Sequence, residues 1–231
     1  MLLAEACTLV YSRDEYEAGG EVAIDAGRRD ARQDVDEAGE LQPPDGAALD
    51  AGFDATLPPC PYEIKPVYLL TRRDKLTLIY TASPDEAIAL SGGLEPGKPD
   101  DAEHEYVNGG VIFSVPREPA TGAPSVPSAV AVLRLYNSTT GDRLYTTDPT
   151  EAAIAKNDGW GADEGVAFYA EQAQQNAEDV DGSCTVPVEG FTQGGKHVLV
   201  PATLQEFRAQ VVDAGWTSEG TRFRASPPSR Q

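Results

Sequence analysis

Two stretches, VYLLTRRDKLTLIYTASPDEA (Val67 to Ala87) and VLRLYNSTTGDRLYTTDPTEA (Val132 to Ala152), align without a gap at an offset of 65 residues. They share Val, Leu, Tyr-Thr, Pro and Glu-Ala at the same places. A third stretch, GFTQGGKHVLVPATLQEF (Gly190 to Phe207), keeps the pattern with fewer identities. Recurrence of this kind predicts one supersecondary unit used three times.

Each copy carries a helix-start signal. Ser83-Pro84-Asp85-Glu86 and Asp148-Pro149-Thr150-Glu151 place a capping oxygen, then proline where no N–H is needed, then Glu three residues after the cap to reach back to it. Thr203-Leu204-Gln205-Glu206 keeps the cap and the Glu without the proline. Gly159 and Gly215 supply the left-handed residue that ends a helix. After each helix comes a short apolar strand, in GGVIFSV (109–115), EGVAFYA (164–170) and EGTRFRA (219–225). Before it in the middle copy lie AVAVLRLYN and RLYTT, joined by the turn Ser138-Thr139-Thr140-Gly141.

The fold class is therefore read as α+β: three pseudo-symmetric ββαβ repeats, about 66–116, 130–171 and 187–226, around a common core, propeller-like or trefoil-like, in a domain spanning 60–231. The first copy carries an insertion, GGLEPGKPDDAEHEY (92–106), whose Gly, Pro and acidic residues predict a surface loop.

The middle copy strings together Leu135-Tyr136-Asn137, Gly141-x-x-x-Tyr145-Thr146-Thr147, Asp148-Pro149-x-Glu151 and Gly159-Trp160-x-x-x-Glu164-Gly165-Val166-Ala167-Phe168-Tyr169. This run resembles a family of short, often triplicated repeats of unassigned function in secreted bacterial and fungal proteins, sometimes attached to extracellular hydrolases. The resemblance covers about Val67 to Ala225 and implies a non-catalytic accessory or binding domain. Members commonly have His where this copy has Arg143; only the third copy keeps it, at His197.

The rest of the chain bounds the setting. Residues 13–59 hold 13 acidic and 4 basic residues, close to half of the formal net charge of -20, and predict a disordered Asp/Ala/Gly/Pro linker. A coil of some 45 residues spans about 35 to 40 Å, a tether's dimension. The overall negative charge argues against nucleic acid or an anionic membrane surface as partner. Residues 1–12 read as a lipoprotein-signal remnant: Leu3-Ala4-Glu5-Ala6-Cys7 resembles the end of a bacterial lipoprotein signal peptide, with the start codon expected further back and Cys7 as lipid anchor. A monomer in the cell envelope is expected, lipid-anchored at the outer membrane or surface and touching the membrane only through that lipid; the alternative is secretion. Cys60 and Cys184 then form an even pair, read as one disulfide worth about 4 kcal/mol in the chain-entropy model, with two buried free thiols as the alternative.

Chemistry is sparse. Only His104 and His197 occur, in different copies, and no serine elbow, zinc-protease motif or phosphate-cradling loop is present. Glu86, Glu151 and Glu206 sit where helix capping explains them better than carboxylate catalysis. No enzyme activity, metal or cofactor is expected. The binding reading rests on aromatics beside polar groups: Tyr136, Asn137, Tyr145, Thr146, Trp160 and Glu164 form a candidate glycan or cell-wall-polymer site, with repeated core packing as the competing explanation for Tyr145 and Trp160. The alternatives are a protein–protein interaction module or a structural surface lipoprotein, and last a hydrolase.

Overall fold

Gly110, Gly165 and Gly220 share one local geometry. Each has positive φ (97°, 84° and 83°), a conformation costly for any residue with a Cβ. Each donates its N–H to the side chain two residues earlier: Asn108 Oδ1 at 2.8 Å, Asp163 Oδ1 at 2.9 Å and Ser218 Oγ at 3.1 Å. These three turns of backbone are bulges in the strands around which the molecule is organised.

In a computed structural model, residues 57–73, 77–97, 103–118, 126–173 and 183–228 are described, all within one unit, Asp36–Gln231. The element order is β1 (Ile64–Arg72), β2 (Leu78–Thr81), α1 (Pro84–Ser91), β3 (Tyr106–Pro116), β4 (Ala129–Tyr136), β5 (Arg143–Thr146), α2 (Pro149–Asn157), β6 (Ala162–Gln172), β7 (Val186–Gln193), β8 (Lys196–Pro201), α3 (Gln205–Asp213) and β9 (Thr217–Ala225). The fold is α+β, mostly antiparallel sheet with three short helices. One sheet has the order β2-β1-β3 and the other β5-β4-β6-β9-β7-β8.

Strand registers coincide in detail. Val67 faces Phe113, Val132 faces Phe168 and Val188 faces Phe223. In each pair the register slips immediately after that point and again two residues later. The slips place Ile112, Ala167 and Arg222 at one bulge, and Gly109, Glu164 and Glu219 at the next. By the same registers Leu69, Arg134 and Gly190 correspond, as do Tyr80, Tyr145 and Leu199, and Leu78, Arg143 and His197.

The three facing phenylalanines meet at the centre. Phe113, Phe168 and Phe223 lie 5.7 to 5.8 Å apart, ring edge to ring face, each essentially without solvent contact. That geometry suits the aromatic quadrupole, and the rings seed a buried cluster with residues from both sheets and from α3. Smaller clusters lie under α1 (Tyr68, Leu70, Ile79, Ala87, Tyr106) and α2 (Leu135, Leu144, Ala152, Ala155, Trp160). At the far end of the long strands Ser114 and Ser226 exchange backbone hydrogen bonds of 2.7 and 2.9 Å, and Glu171 pairs with Arg224. The Cys60–Cys184 disulfide closes this end, and the Tyr62 hydroxyl beside it donates to Glu171 at 2.7 Å.

The helix starts follow the sequence in two cases of three. Ser83 accepts from the Glu86 N–H and Asp148 from the Thr150 N–H, each with proline following. The two glutamates do not reach back to their caps. Instead Thr81 and Thr146 accept the N–H of Ser83 (3.1 Å) and Asp148 (2.9 Å) and donate hydrogen bonds from their own hydroxyls to Glu86 and Glu151. The expected Thr203 cap is not made: α3 begins after Leu204 without a side-chain cap, and the buried Thr203 hydroxyl has no partner. Val200 stands where Thr81 and Thr146 supply the relay, so that relay has no hydroxyl in the third stretch. Gly159 (φ 95°) and Gly215 (φ 82°) follow the ends of α2 and α3 in the left-handed conformation, as expected. In the 92–106 stretch Tyr106 is a buried strand residue rather than part of a surface loop. The Cys7 lipid site and the linker up to residue 56 lie outside the described residues.

Candidate functional site

The relayed glutamates open two charged seams. At the first, between α1 and the β4-β5-β6 strands, Arg134 on β4 clasps Glu86 through two hydrogen bonds, 3.1 and 2.7 Å. Its Nε lies 2.8 Å from Glu164, which also takes the Nε–H of Arg143 at 3.0 Å. Arg143 in turn lies over the Tyr136 ring, 4.9 Å from its centroid. Burial pushes the Glu86 carboxyl up, but hydrogen bonds from Arg134 and Thr81 and the charges of Arg134 and Arg143 outweigh it and leave the group below its ordinary value.

At the second seam, between α2 and the β7-β8-β9 strands, Arg222 plays the part of Arg134. Its Nη1 lies 2.8 Å from both oxygens of Glu151, and its Nη2 donates to Glu219 at 2.6 Å. The guanidinium comes from the last strand instead of the first, and Gly190, in the register place of Arg134, leaves the room for it. His197 replaces Arg143. Its Nδ1 is 3.2 Å from Asp142 Oδ2, which also accepts the His197 backbone N–H at 2.8 Å, and its Nε2 is 3.9 Å from Glu219. The Trp160 indole meets the imidazole edge to face at 5.2 Å. A cleft runs along this seam, lined by Leu144, Tyr145, Gly190, His197, Val198, Leu199, Glu219 and Arg222, with room for about one water-sized group.

The third seam has no such charges at the corresponding places, which are Leu69, Leu78 and Gly109. A tyrosine ties it instead. The Tyr80 hydroxyl donates to the Leu199 carbonyl (3.0 Å) and accepts its N–H (2.9 Å), while the Tyr145 hydroxyl accepts the Tyr80 N–H (2.8 Å) across the first seam. Burial pushes the Tyr145 phenol up to about 12, so it stays neutral.

The six residues picked from the sequence do not form one cluster. Tyr145 is 3 % exposed and Trp160 8 %, so neither presents a free ring face, and Thr146 is spent on its relay to Glu151. Asn137 organises the β4–β5 turn by accepting the N–H groups of Thr139 and Thr140. Tyr136 and Glu164 meet through Arg143 at the first seam, whereas Trp160 lies at the second. The second seam also gathers Asp142, His197, Glu219 and Arg222, which sequence reasoning missed as a group. The available signal was the break in pattern: His197 for Arg143 shows in the sequence, whereas Gly190 for Arg134 becomes legible only once the registers are known. Among the described residues no group of three or more His, Cys, Asp or Glu is placed to hold a metal ion, and no helix is long and apolar enough to cross a membrane.

Among curated proteins and among solved structures nothing matches the chain. A family model described as a domain of unknown function (DUF5648) matches residues 98–226, more than half of its length. The match takes in the whole of both charged β-segments, from Ala129 to Gln172 and from Val186 to Ala225. The chain belongs to the DUF5648 family.

Proposed function

We propose that this protein is a non-catalytic binding module of the cell envelope or of a secreted protein, recognising a glycan or cell-wall polymer at the seam between α2 and β7-β8-β9. The observation that carries the reading is the small cleft at His197, Glu219 and Arg222, whose hydrogen-bonding groups are held in place by other side chains. Fixed polar groups of this kind suit a sugar, whose hydroxyls need such partners. Both helix-start carboxylates, Glu86 and Glu151, are engaged by threonine and arginine, which supports a structural and not a catalytic part for them.

In this reading the stretches 66–116, 130–171 and 187–226 are three ββαβ repeats around a common core, and they resemble repeats that are sometimes attached to extracellular hydrolases. The coincident registers and the Phe113–Phe168–Phe223 triad support that reading. The module is a monomer displayed on the acidic linker, with a lipid on Cys7 as its anchor.

The test is retention of the full chain on insoluble peptidoglycan and a panel of polysaccharides, beside a His197→Ala variant shown by circular dichroism to fold. Retention lost in the folded variant supports a glycan site at this seam. No retention on any matrix sinks the glycan reading and favours a protein partner.

A further inference from the structure

The two charged seams differ by two charges, a guanidinium replaced by an imidazole and a neutral hydroxyl replaced by a carboxylate, and the difference lies beside the cleft. At the first, Glu86 and Glu164 are matched by Arg134 and Arg143, and the buried residue preceding β2 is the neutral Thr77. At the second, Arg222 alone faces Glu151 and Glu219; His197 holds the place of Arg143, and Asp142 holds the place of Thr77. With a neutral imidazole the second cluster sums to two negative charges, and with an imidazolium to one. Asp142 is 1 % exposed, and its Oδ1 has no hydrogen-bond partner while Oδ2 is bonded to the ring that lines the cleft. A buried, half-satisfied carboxylate is costly unless a donor completes it.

We infer that this cleft takes the primary ammonium of a de-N-acetylated amino sugar, against His197 and Glu219, where it supplies the positive charge that this seam lacks beside the sister seam; the inference rests on the glycan reading above. An ammonium is close to water in size, brings three donors and one positive charge, and carries no acceptor to repel the carboxylates. The cleft admits the ammonium alone, and the sugar ring bearing it stays at the mouth beside His197 and Glu219. His197 and Glu219 keep 17 and 24 % of their side-chain surface, so the group enters from solvent. Anionic ligands are excluded by the local charge and by the net charge of -20. A metal ion is not the cation in question, because the described carboxylates and imidazole are not arranged as a ligand set.

The experiment titrates chitosan oligomers and their fully N-acetylated counterparts into the full chain by calorimetry at neutral pH. The free amines are expected to bind about tenfold tighter or more, with affinity falling as salt rises. His197→Arg, which installs the sister seam's cation, abolishes that preference in a folded protein, and Glu219→Gln weakens it. Equal binding of both oligomers, or undiminished amine preference in folded His197→Arg and Glu219→Gln, overturns the ammonium site and leaves the glycan reading standing. Binding of neither oligomer, together with no retention on any matrix, overturns both.

Discussion

Gly190 lies directly beneath the side chain of Arg222: a Cβ built on the glycine would stand 2.7 Å from Nε and 2.9 Å from Cγ of the arginine. The same registers put Arg134 where Gly190 is and Ala167 where Arg222 is. One guanidinium therefore meets a helix-start glutamate at each seam, delivered from the first strand in one case and from the bulge of the last strand in the other. The side chain has changed strands while its charge has kept its place.

That exchange makes a swap testable. Gly190→Arg alone forces two guanidinium side chains into one space and is expected to cost about 1–3 kcal/mol through overpacking. Arg222→Ala alone strands Glu151 and Glu219 without their cation, at a comparable cost. The double variant rebuilds the Arg134–Ala167 arrangement and is expected to recover most of the sum of the two losses. Urea unfolding of the four proteins measures the coupling, and strictly additive losses would contradict the equivalence of the two seams.

The two bridging hydroxyls are not equal. Tyr80→Phe removes the group that both donates to and accepts from Leu199, leaving two buried backbone groups short of a partner. Tyr145→Phe leaves only the Tyr80 N–H short. Losses of about 2–3 and 1–2 kcal/mol are expected from the desolvation of unpaired groups, in that order, by chemical denaturation.

Much of the fold was legible in the sequence, and the reasons are local. Ser83-Pro84 and Asp148-Pro149 announce helix starts because a cap and a proline act within a few residues, and strand positions follow from alternation and glycine. What escaped depends on through-space partners. Glu86 and Glu151 at three residues past a cap match a reciprocal capping box, yet their carboxylates look to arginines on the neighbouring segment that no spacing rule connects. Tyr145 and Trp160 satisfy a binding pattern and a core pattern equally well in one dimension; burial against Tyr80, Phe168 and His197 decides between them. Arg222 and Gly190 resemble nothing in residues 130–171 until the bulges are overlaid.

The disulfide joins residues separated by 124 positions, so its removal relaxes a large loop in the unfolded chain. Cys60→Ser/Cys184→Ser is expected to lose about 2–5 kcal/mol, most of it through unfolded-state entropy in the loop-closure model. Calorimetry of the oxidised protein, the reduced protein and the double variant checks this. The latter two should melt together and below the first, and three coincident melts would show that the bridge contributes nothing.

Acid should weaken the first seam in a defined direction. Glu86 sits below its ordinary carboxyl value in the folded protein because Arg134, Thr81 and Arg143 outweigh its burial. A folded-state value below the unfolded one gives stability that is complete above the unfolded value and disappears as pH falls through the folded one. Glu86→Gln lacks this stabilisation at every pH while keeping the side chain's shape. The stability gap between the parent and Glu86→Gln is therefore expected to be widest near neutrality. It should begin to close below the ordinary carboxyl value of 4.5 and narrow further as acid protonates Glu86 in the fold. Unfolding midpoints measured across that range at fixed ionic strength test the sign. A gap that stays constant or widens on acidification would mean that the Arg134 clasp does not favour the charged carboxylate.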